Sequence, residues 1–315
     1  MIPIVYHPDY LVEGRPGGTY KWGKNGCVRE LLLGSGAPIE WIAPAPMPRR
    51  WLETVHDPDY VGEVLEARVP AAKERRIGFA ISATAARRAE RVPGGTWLAA
   101  HTAQARGFAA NIAGGSHHAL ADTGAGYCVF NDLALAAVRL TEEGDAARVL
   151  VVDCDVHQGD GTAVLTAGRP AIATYSIHAD KNFPVRKARS TVDVALPDGT
   201  GDADYLAALA DTLVPLLDRF APDLILYQAG VDPFGGDRLG RLALTEAGLD
   251  ARDRLVVGLA RTRGIPLAST LGGGYAADTM EVARRHVRSI LAQADAAGFG
   301  PVGAKFSLGP HVSAR

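Results

Sequence analysis

The chain has 315 residues, 47% of them hydrophobic and 22% charged, the balance of a soluble globular protein long enough to bury a sizeable core. Its 33 Lys and Arg against 35 Asp and Glu leave a formal charge of −2, so no excess of either sign argues for nucleic-acid or membrane binding. Cys27, Cys128 and Cys154 are odd in number, far apart and free of any CxxC pair, which argues against a disulfide framework or a cysteine zinc site. The opening MIPIVYHPDY has no basic stretch ahead of an apolar core, and no apolar run reaches membrane-spanning length. The expectation is a protein of the reducing cytoplasm.

In chain order, short apolar runs that end in Gly, Asp or His predict buried strands at 3–6, 108–114, 148–155, 171–178, 223–230 and 266–273. Alanines and leucines at three- and four-residue intervals predict helices over 131–143, 203–219, 245–263 and 276–296. Asn131 and Asp132 read as the start of the first helix, and Asp202 or Asp204 as the cap of the second. The short stretches KERR (73–76) and ARRAER (86–91) mix bases with acids and read as solvated helix faces. Strands alternating with helices imply an α/β fold, a mostly parallel sheet flanked by helices on both faces. No linker or repeat divides the chain, which predicts one domain over 1–297 and a Gly/Pro-rich tail over 298–315.

The chemically unusual residues fall at the carboxyl ends of the predicted strands, where ligands bind in open parallel sheets. In VVDCDVHQGDG (151–161), the alternation of an extended chain would project Asp153, Asp155 and His157 to one side. Two carboxylates and an imidazole placed so are costly without a cation. Their oxygen and nitrogen donors suit Zn²⁺ or another first-row divalent ion. The bland alternative is an acidic turn that caps the next helix. Asp232, in QAGVDPFGGD, is a turn residue by itself and a third ligand in company with Asp155 and His157. Three protein ligands and an open position mark a catalytic rather than a structural site.

GGSHHA supplies His117 and His118, and imidazole suits proton transfer near neutral pH. Asp153 and Asp160 are left over to orient them. LGGGYA places Tyr275 after three glycines, either to donate to a developing oxyanion or in an ordinary strand-to-helix turn. YCVFNDLALAA (127–137) gathers aromatic and polar groups at a helix start, as a capped core patch or as the wall of a substrate channel.

Taken in order, GGSHHA, GYCVFND, DCDVHQGDG, YSIH, AGVDPFGGD with LALT, and LGGGY resemble the zinc-dependent histone deacetylase family. The resemblance runs from VYHPDY to about residue 290. It implies the arginase–deacetylase fold and a hydrolase of amide C–N bonds. Such an enzyme removes acetyl or other short acyl groups from the lysine amine in proteins or peptides. It implies that Asp155, His157 and Asp232 hold Zn²⁺, or Fe²⁺ in its place. His117 with Asp153, and His118 with Asp160, then match the proton-transfer pairs, and Tyr275 matches the oxyanion donor. Asp153, Asp155, His157, Ser176 and Ile177 match a structural K⁺ or Na⁺ site. Tyr127, beside Gly126, and Phe183 match facing aromatic walls of an acyl-lysine tunnel, with Leu239 at its mouth. GGTYKWGK looks most like the smaller bacterial and class IV-like members. Tyr127 stands where phenylalanine is usual, and Gln158 where some members have histidine.

Three rival readings stand beside this one. A deacetylase of small acetylated amines, such as acetylpolyamines, would want acidic residues at the entrance. A two-metal ureohydrolase needs more Asp and His ligands than the sequence offers. An acyl-lysine binding module without activity would require a damaged histidine pair, ligand set or tyrosine, and all are intact.

Overall fold

The computed structural model describes residues 1–12 and 22–300, so most of GGTYKWGK and most of the C-terminal tail lie outside the described residues. The strands are β1 (Ile2–Val5), β2 (Ile39–Ile42), β3 (Phe108–Asn111), β4 (Val149–Asp153), β5 (Ile172–Ala179), β6 (Val192–Leu196), β7 (Leu224–Gln228) and β8 (Leu267–Thr270). They form one sheet of order β2-β1-β3-β8-β7-β4-β5-β6 with every pairing parallel. The helices are α1 (Lys24–Gly34), α2 (Arg49–Leu52), α3 (Pro58–Leu65), α4 (Ala71–Ile77), α5 (Ala83–Arg106), α6 (Asp132–Glu142), α7 (Asp160–Thr166), α8 (Asp202–Phe220), α9 (Glu246–Thr262) and α10 (Thr279–Ala296). Among the described residues, no helix is long and apolar enough to cross a membrane.

The interior strands are buried on both faces, which is why they read as continuous apolar runs. Leu150, Val152, Ile225 and Tyr227 point into one core layer, while Val149, Val151, Leu224 and Leu226 point into the other. All six predicted strands are present. The two that pattern reading missed, β2 and β6, are the outer edges of the sheet. An edge strand has a neighbour on one side, so IEWI is half-buried throughout and VDVAL alternates between exposed and half-buried before its buried last residue. Neither shows an apolar run.

Of helix α5 only the ARRAER stretch reads as helical from the sequence, and the helix runs on through VPGG in its middle. Pro93, Gly94 and Gly95 are all buried inside the helix. A side chain on Gly94 would collide with the Ala45 carbonyl, and one on Gly95 with the Tyr10 hydroxyl, so the pair lets α5 lie close against both. The ARRAER stretch is helical but not a solvated face. Arg88 Nε donates to Tyr10 O at 3.2 Å, and Arg91 Nε to Asp9 Oδ2 at 3.0 Å.

Two cap expectations separate. Asn131 caps α6 as expected, accepting from Ala134 N at 2.9 Å. Asp202 does not cap α8: Gly201 precedes the helix, and the Asp202 carboxylate accepts from Thr245 N at 2.8 Å and Thr245 Oγ1 at 2.6 Å. It ties the start of α8 to the start of α9.

Candidate active site

Since every strand points the same way, the loops after β3, β8, β7, β4 and β5 share one edge of the sheet. That edge carries His117 and His118 after β3, Tyr275 after β8, Asp232 after β7, and Asp155 and His157 after β4. The nearest donor atoms of Asp155, His157 and Asp232 lie within 4.8 Å of one another, and all three residues are buried. His157 Nδ1 is 2.9 Å from Asp155 Oδ1 and 3.3 Å from Asp232 Oδ2.

These residues do not meet through strand alternation. β4 ends at Asp153, and two side-chain turns follow it. Asp153 Oδ1 accepts from Asp155 N at 3.1 Å, and Asp155 Oδ1 accepts from His157 N at 3.0 Å. Asp232 arrives from the neighbouring strand end, its Oδ1 accepting from Val156 N at 2.9 Å. Asp153 leaves this group and pairs with His117 instead.

Two buried residues that the sequence reading did not name, Gln228 and Arg252, hold the group in place together with Gly273 of the Gly-rich loop. Gln228 Nε2 donates to Asp155 Oδ2 at 2.7 Å, while its Oε1 accepts from Gly230 N at 2.8 Å. Gly273 N donates to the same Asp155 oxygen at 2.8 Å, and a side chain there would collide with Asp232. Below them, Arg252 Nη1 donates to Cys154 O at 3.2 Å and to Gly230 O at 2.5 Å. Its charge is balanced by Asp253, 2.8 Å from Nη2. A glutamine inside an otherwise apolar strand was the one legible signal of this support.

The donor set fits a divalent metal ion. Asp232 Oδ2 is buried with no hydrogen-bond donor. Burial, reinforced by the Asp155 charge, pushes the Asp232 carboxyl up to about 7. Burial opposes a charge on His157, yet the Asp155 and Asp232 carboxylates outweigh it and raise this imidazole to about 10. A cation resolves both tensions, and one nitrogen with two carboxylates is a set that zinc accepts.

Beside this group stand two histidine–carboxylate pairs. His117 Nδ1 lies 2.6 Å from Asp153 Oδ2, and His118 Nδ1 lies 2.7 Å from Asp160 Oδ1, with the two imidazole rings 4.0 Å apart. Burial works against a charge on His117, but Asp153 and Asp155 overcome it and raise its value to about 9. Burial, then the His117 charge, lower His118 to about 4. The loop before them is fixed by Asp132, whose carboxylate accepts from Ser116 N at 2.7 Å, Gly115 N at 3.1 Å and Thr96 Oγ1 at 2.6 Å. Asp132 thus begins a helix, as its position suggests, and also sets the histidine loop.

The walls follow. Tyr127 adopts φ 68°, rare for a bulky residue, and is pinned there by its N–H donating to Ile77 O at 2.7 Å. Its ring packs 5.8 Å from that of Tyr275. Phe183 stands edge-on to His118 at 4.8 Å, with Gly126 beside both rings. Leu239 is joined to the same rim, its carbonyl accepting from Asn182 Nδ2 at 2.6 Å. Gln158 holds the rim loop from behind, donating to Ala188 O at 3.0 Å and accepting from Ala188 N at 2.8 Å. Lys24, His117, Tyr127 and Tyr275 are among the residues lining a cavity of about 60 Å³. Burial lowers the Lys24 ammonium to about 8, and Nζ donates to Gly272 O at 2.8 Å. Asp153 and Ser176 are register partners across β4 and β5, with Ile177 next along.

His56, another residue passed over, supports the stretch that opens α6. Its Nδ1 is 2.8 Å from Leu120 O, and its Nε2 accepts from Asn131 N at 3.0 Å. Burial lowers its pKa from 6.5 to about 4, so the folded chain binds fewer protons here than the unfolded chain. This contribution to stability is complete above pH 6.5 and is lost as the pH falls from 6.5 towards 4. Urea unfolding of His56→Gln should therefore show a weaker acid-side loss than the parent. An unchanged acid limb would remove His56 from that role.

A family model for the histone deacetylase domain matches residues 24–291. An uncharacterised protein of Picosynechococcus sp. is 43% identical over 286 residues, 90% of this chain and 95% of the relative. Histone deacetylase 2 of Arabidopsis thaliana is 28% identical over 314 residues, 93% of this chain and 79% of that protein. Among solved structures, the HD domain of HDA15 has a TM-score of 0.74 at 22% identity, covering 94% of this chain and 86% of its own. The acetylpolyamine aminohydrolase of Burkholderia pseudomallei has a TM-score of 0.74 at 23% identity, covering 93% and 99%. At those identities the two structures speak for the fold, the arginase–deacetylase arrangement of one parallel sheet between helical layers. With the domain model matched over most of its length and the expected residues gathered at one sheet edge, the chain belongs to the histone deacetylase family and is a hydrolase of that family.

Proposed function

We propose that this chain is a zinc-dependent hydrolase that removes acetyl or other short acyl groups from the side-chain amine of lysine in proteins or peptides. The observation that carries the reading is the meeting of the buried Asp155, His157 and Asp232 donors with two histidine–carboxylate pairs. Those three side chains would hold Zn²⁺, or Fe²⁺ in its place. When bound, the ion supplies Lewis acidity and draws the pKa of water from 15.7 towards roughly 7. His117 and His118, each fixed through Nδ1 by a carboxylate, share the base and acid duties: one proton taken from water, one returned to the departing amine. Their close rings couple the two titrations, so apparent values belong to the pair.

The Tyr275 hydroxyl donates to the acyl oxygen as negative charge builds there. Tyr127, Gly126 and Phe183 flank the acyl-lysine stem, and Leu239 stands at the mouth. Asp153, Asp155, His157, Ser176 and Ile177, where the end of β4 runs beside β5, would hold a structural K⁺ or Na⁺ ion. The free cysteines Cys27, Cys128 and Cys154 suit a reducing cytoplasm.

Removal of metal by a chelator is expected to bring hydrolysis of an acetyl-lysine peptide to background, and added Zn²⁺ to restore it. Full activity after verified metal removal would overturn the reading. The likeness to the Burkholderia enzyme favours one second reading, a deacetylase of small acetylated amines. Faster turnover of acetylpolyamines than of acetyl-lysine peptides, in the same metal-loaded preparation, would establish it.

A further inference from the structure

The rim of the site differs in charge from the rest of the molecule. Three chain segments meet there. The end of α4 is joined to the aromatic wall, since Gly126 N donates to Arg76 O at 3.1 Å. The loop after β5 carries Phe183, and the loop after β7 carries Leu239, bonded to each other through Asn182. Each segment carries an exposed cation: Arg76, whose carbonyl holds Gly126, Lys181 and Arg186 on either side of Phe183 in the chain, and Arg238 just before Leu239. Among the described residues none of these four pairs with a carboxylate. Lys187 adds a further charge, held inward on the Asn182 and Pro184 carbonyls at 2.5 and 2.7 Å.

The acids nearby are mostly spent. Asp237 turns its carboxylate inward to Leu239 N at 2.8 Å and Tyr275 N at 2.6 Å. Asp160 orients His118, and Asp198 pairs with Arg241 at 3.1 Å. Asp122 and Asp180 remain exposed against the cations. The same rim holds exposed apolar side chains, Phe183 at 44%, Val185 at 100% and Leu239 at 36%. Among the described residues, the entrance of this chain of net charge −2 thus carries four exposed cations without a carboxylate partner against two exposed acids, beside apolar surface. A cationic polyamine would be repelled there, and an acidic peptide drawn in.

We infer that the entrance selects acyl-lysines flanked by acidic residues, with Arg76, Arg186 and Arg238 as the residues that set this preference. The inference rests on the lysine-deacylase reading above and deepens it.

The test measures kcat/KM of the metal-loaded enzyme on four probes: acetyl-lysine peptides flanked by Glu, by Ala or by Lys, and N-acetylspermidine. The Glu-flanked peptide should exceed the Lys-flanked one by about tenfold at low salt, with the gap closing as salt rises. The triple variant Arg76→Glu, Arg186→Glu, Arg238→Glu should invert the order of the charged peptides, with bound metal and thermal midpoint measured alongside. Arg186→Gln, a single neutralisation, should narrow the gap in the same direction and covers the case in which the triple variant fails to fold. Equal rates on all three peptides, an order unchanged by both variants, or a preference for N-acetylspermidine would overturn the inference. Failure to cleave the Ala-flanked peptide with metal bound would instead overturn the deacylase reading itself, and the inference with it.

Discussion

Tyr275→Phe is expected to lower turnover of an acetyl-lysine peptide by about 10²–10³ while bound metal and thermal midpoint stay where they were. The residue is positioned by its own backbone. Its N–H donates to Asp237 Oδ2 at 2.6 Å, and its carbonyl accepts from Arg238 N at 2.9 Å, so the loop after β8 is tied to the loop after β7. Its ring stands edge-on to His157 at 6.4 Å and against Tyr127 at 5.8 Å. Phenylalanine keeps these ring contacts and both backbone bonds, so the substitution removes the phenolic donor and little else. The measurement is kcat with metal quantified in the same preparation. Near-parental turnover would take Tyr275 out of the reaction, and loss of metal would make it a structural residue.

Arg252→Ala is expected to cost about 3–5 kcal/mol of folding stability, because it breaks a buried ion pair by removing one partner. The guanidinium is fully buried, with Nε 3.0 Å and Nη2 2.8 Å from Asp253 Oδ1. Removing it strands the Asp253 carboxylate, which keeps the Tyr227 hydroxyl at 2.5 Å. Burial already raises the Asp253 pKa, and Arg252 is what opposes that rise. The carbonyls of Cys154 and Gly230 lose their donor as well. Cys154 adjoins Asp155 and Gly230 lies two residues before Asp232, so metal affinity should fall along with stability. Arg252→Lys should recover part of the loss, since one ammonium cannot reach a carboxylate and two carbonyls at once as a planar fork does. Urea unfolding and metal titration of both variants check this. A cost for Arg252→Ala within about 0.5 kcal/mol, the range of surface substitutions, would show that the pair carries no such weight.

How far the sequence could be read depended on what each residue contacts. Strands β4, β5 and β7 were legible because burial on both faces leaves a continuous apolar run. The edge strands β2 and β6 were not, because one open side dilutes the same pattern. Pro93, Gly94 and Gly95 are poor helix formers by local preference, yet α5 runs through them, and the two glycines let it lie close against the Ala45 carbonyl and Tyr10. Supporting residues were the least legible. Gln228 is 73 positions from Asp155, and Arg252 is 98 from Cys154, so neither partnership leaves a local trace.

By itself the sequence determined which residue types reach the carboxyl ends of the strands: the histidine pair, the Asp-x-Asp-x-His run, Asp232 and the Gly-rich tyrosine loop. Local pattern encodes burial and element ends, and those were enough to place the chemistry on one edge of a parallel sheet. The tertiary structure decided which of these groups meet. It assigned Asp153 to His117 and Asp155 to His157 and Asp232, although spacing had projected all three residues of the run together. The reason is the order of the sheet. With β7 between β8 and β4, Asp232 and Gly273 close over Asp155, and strand order is set by packing between segments distant in the chain, which no local pattern records.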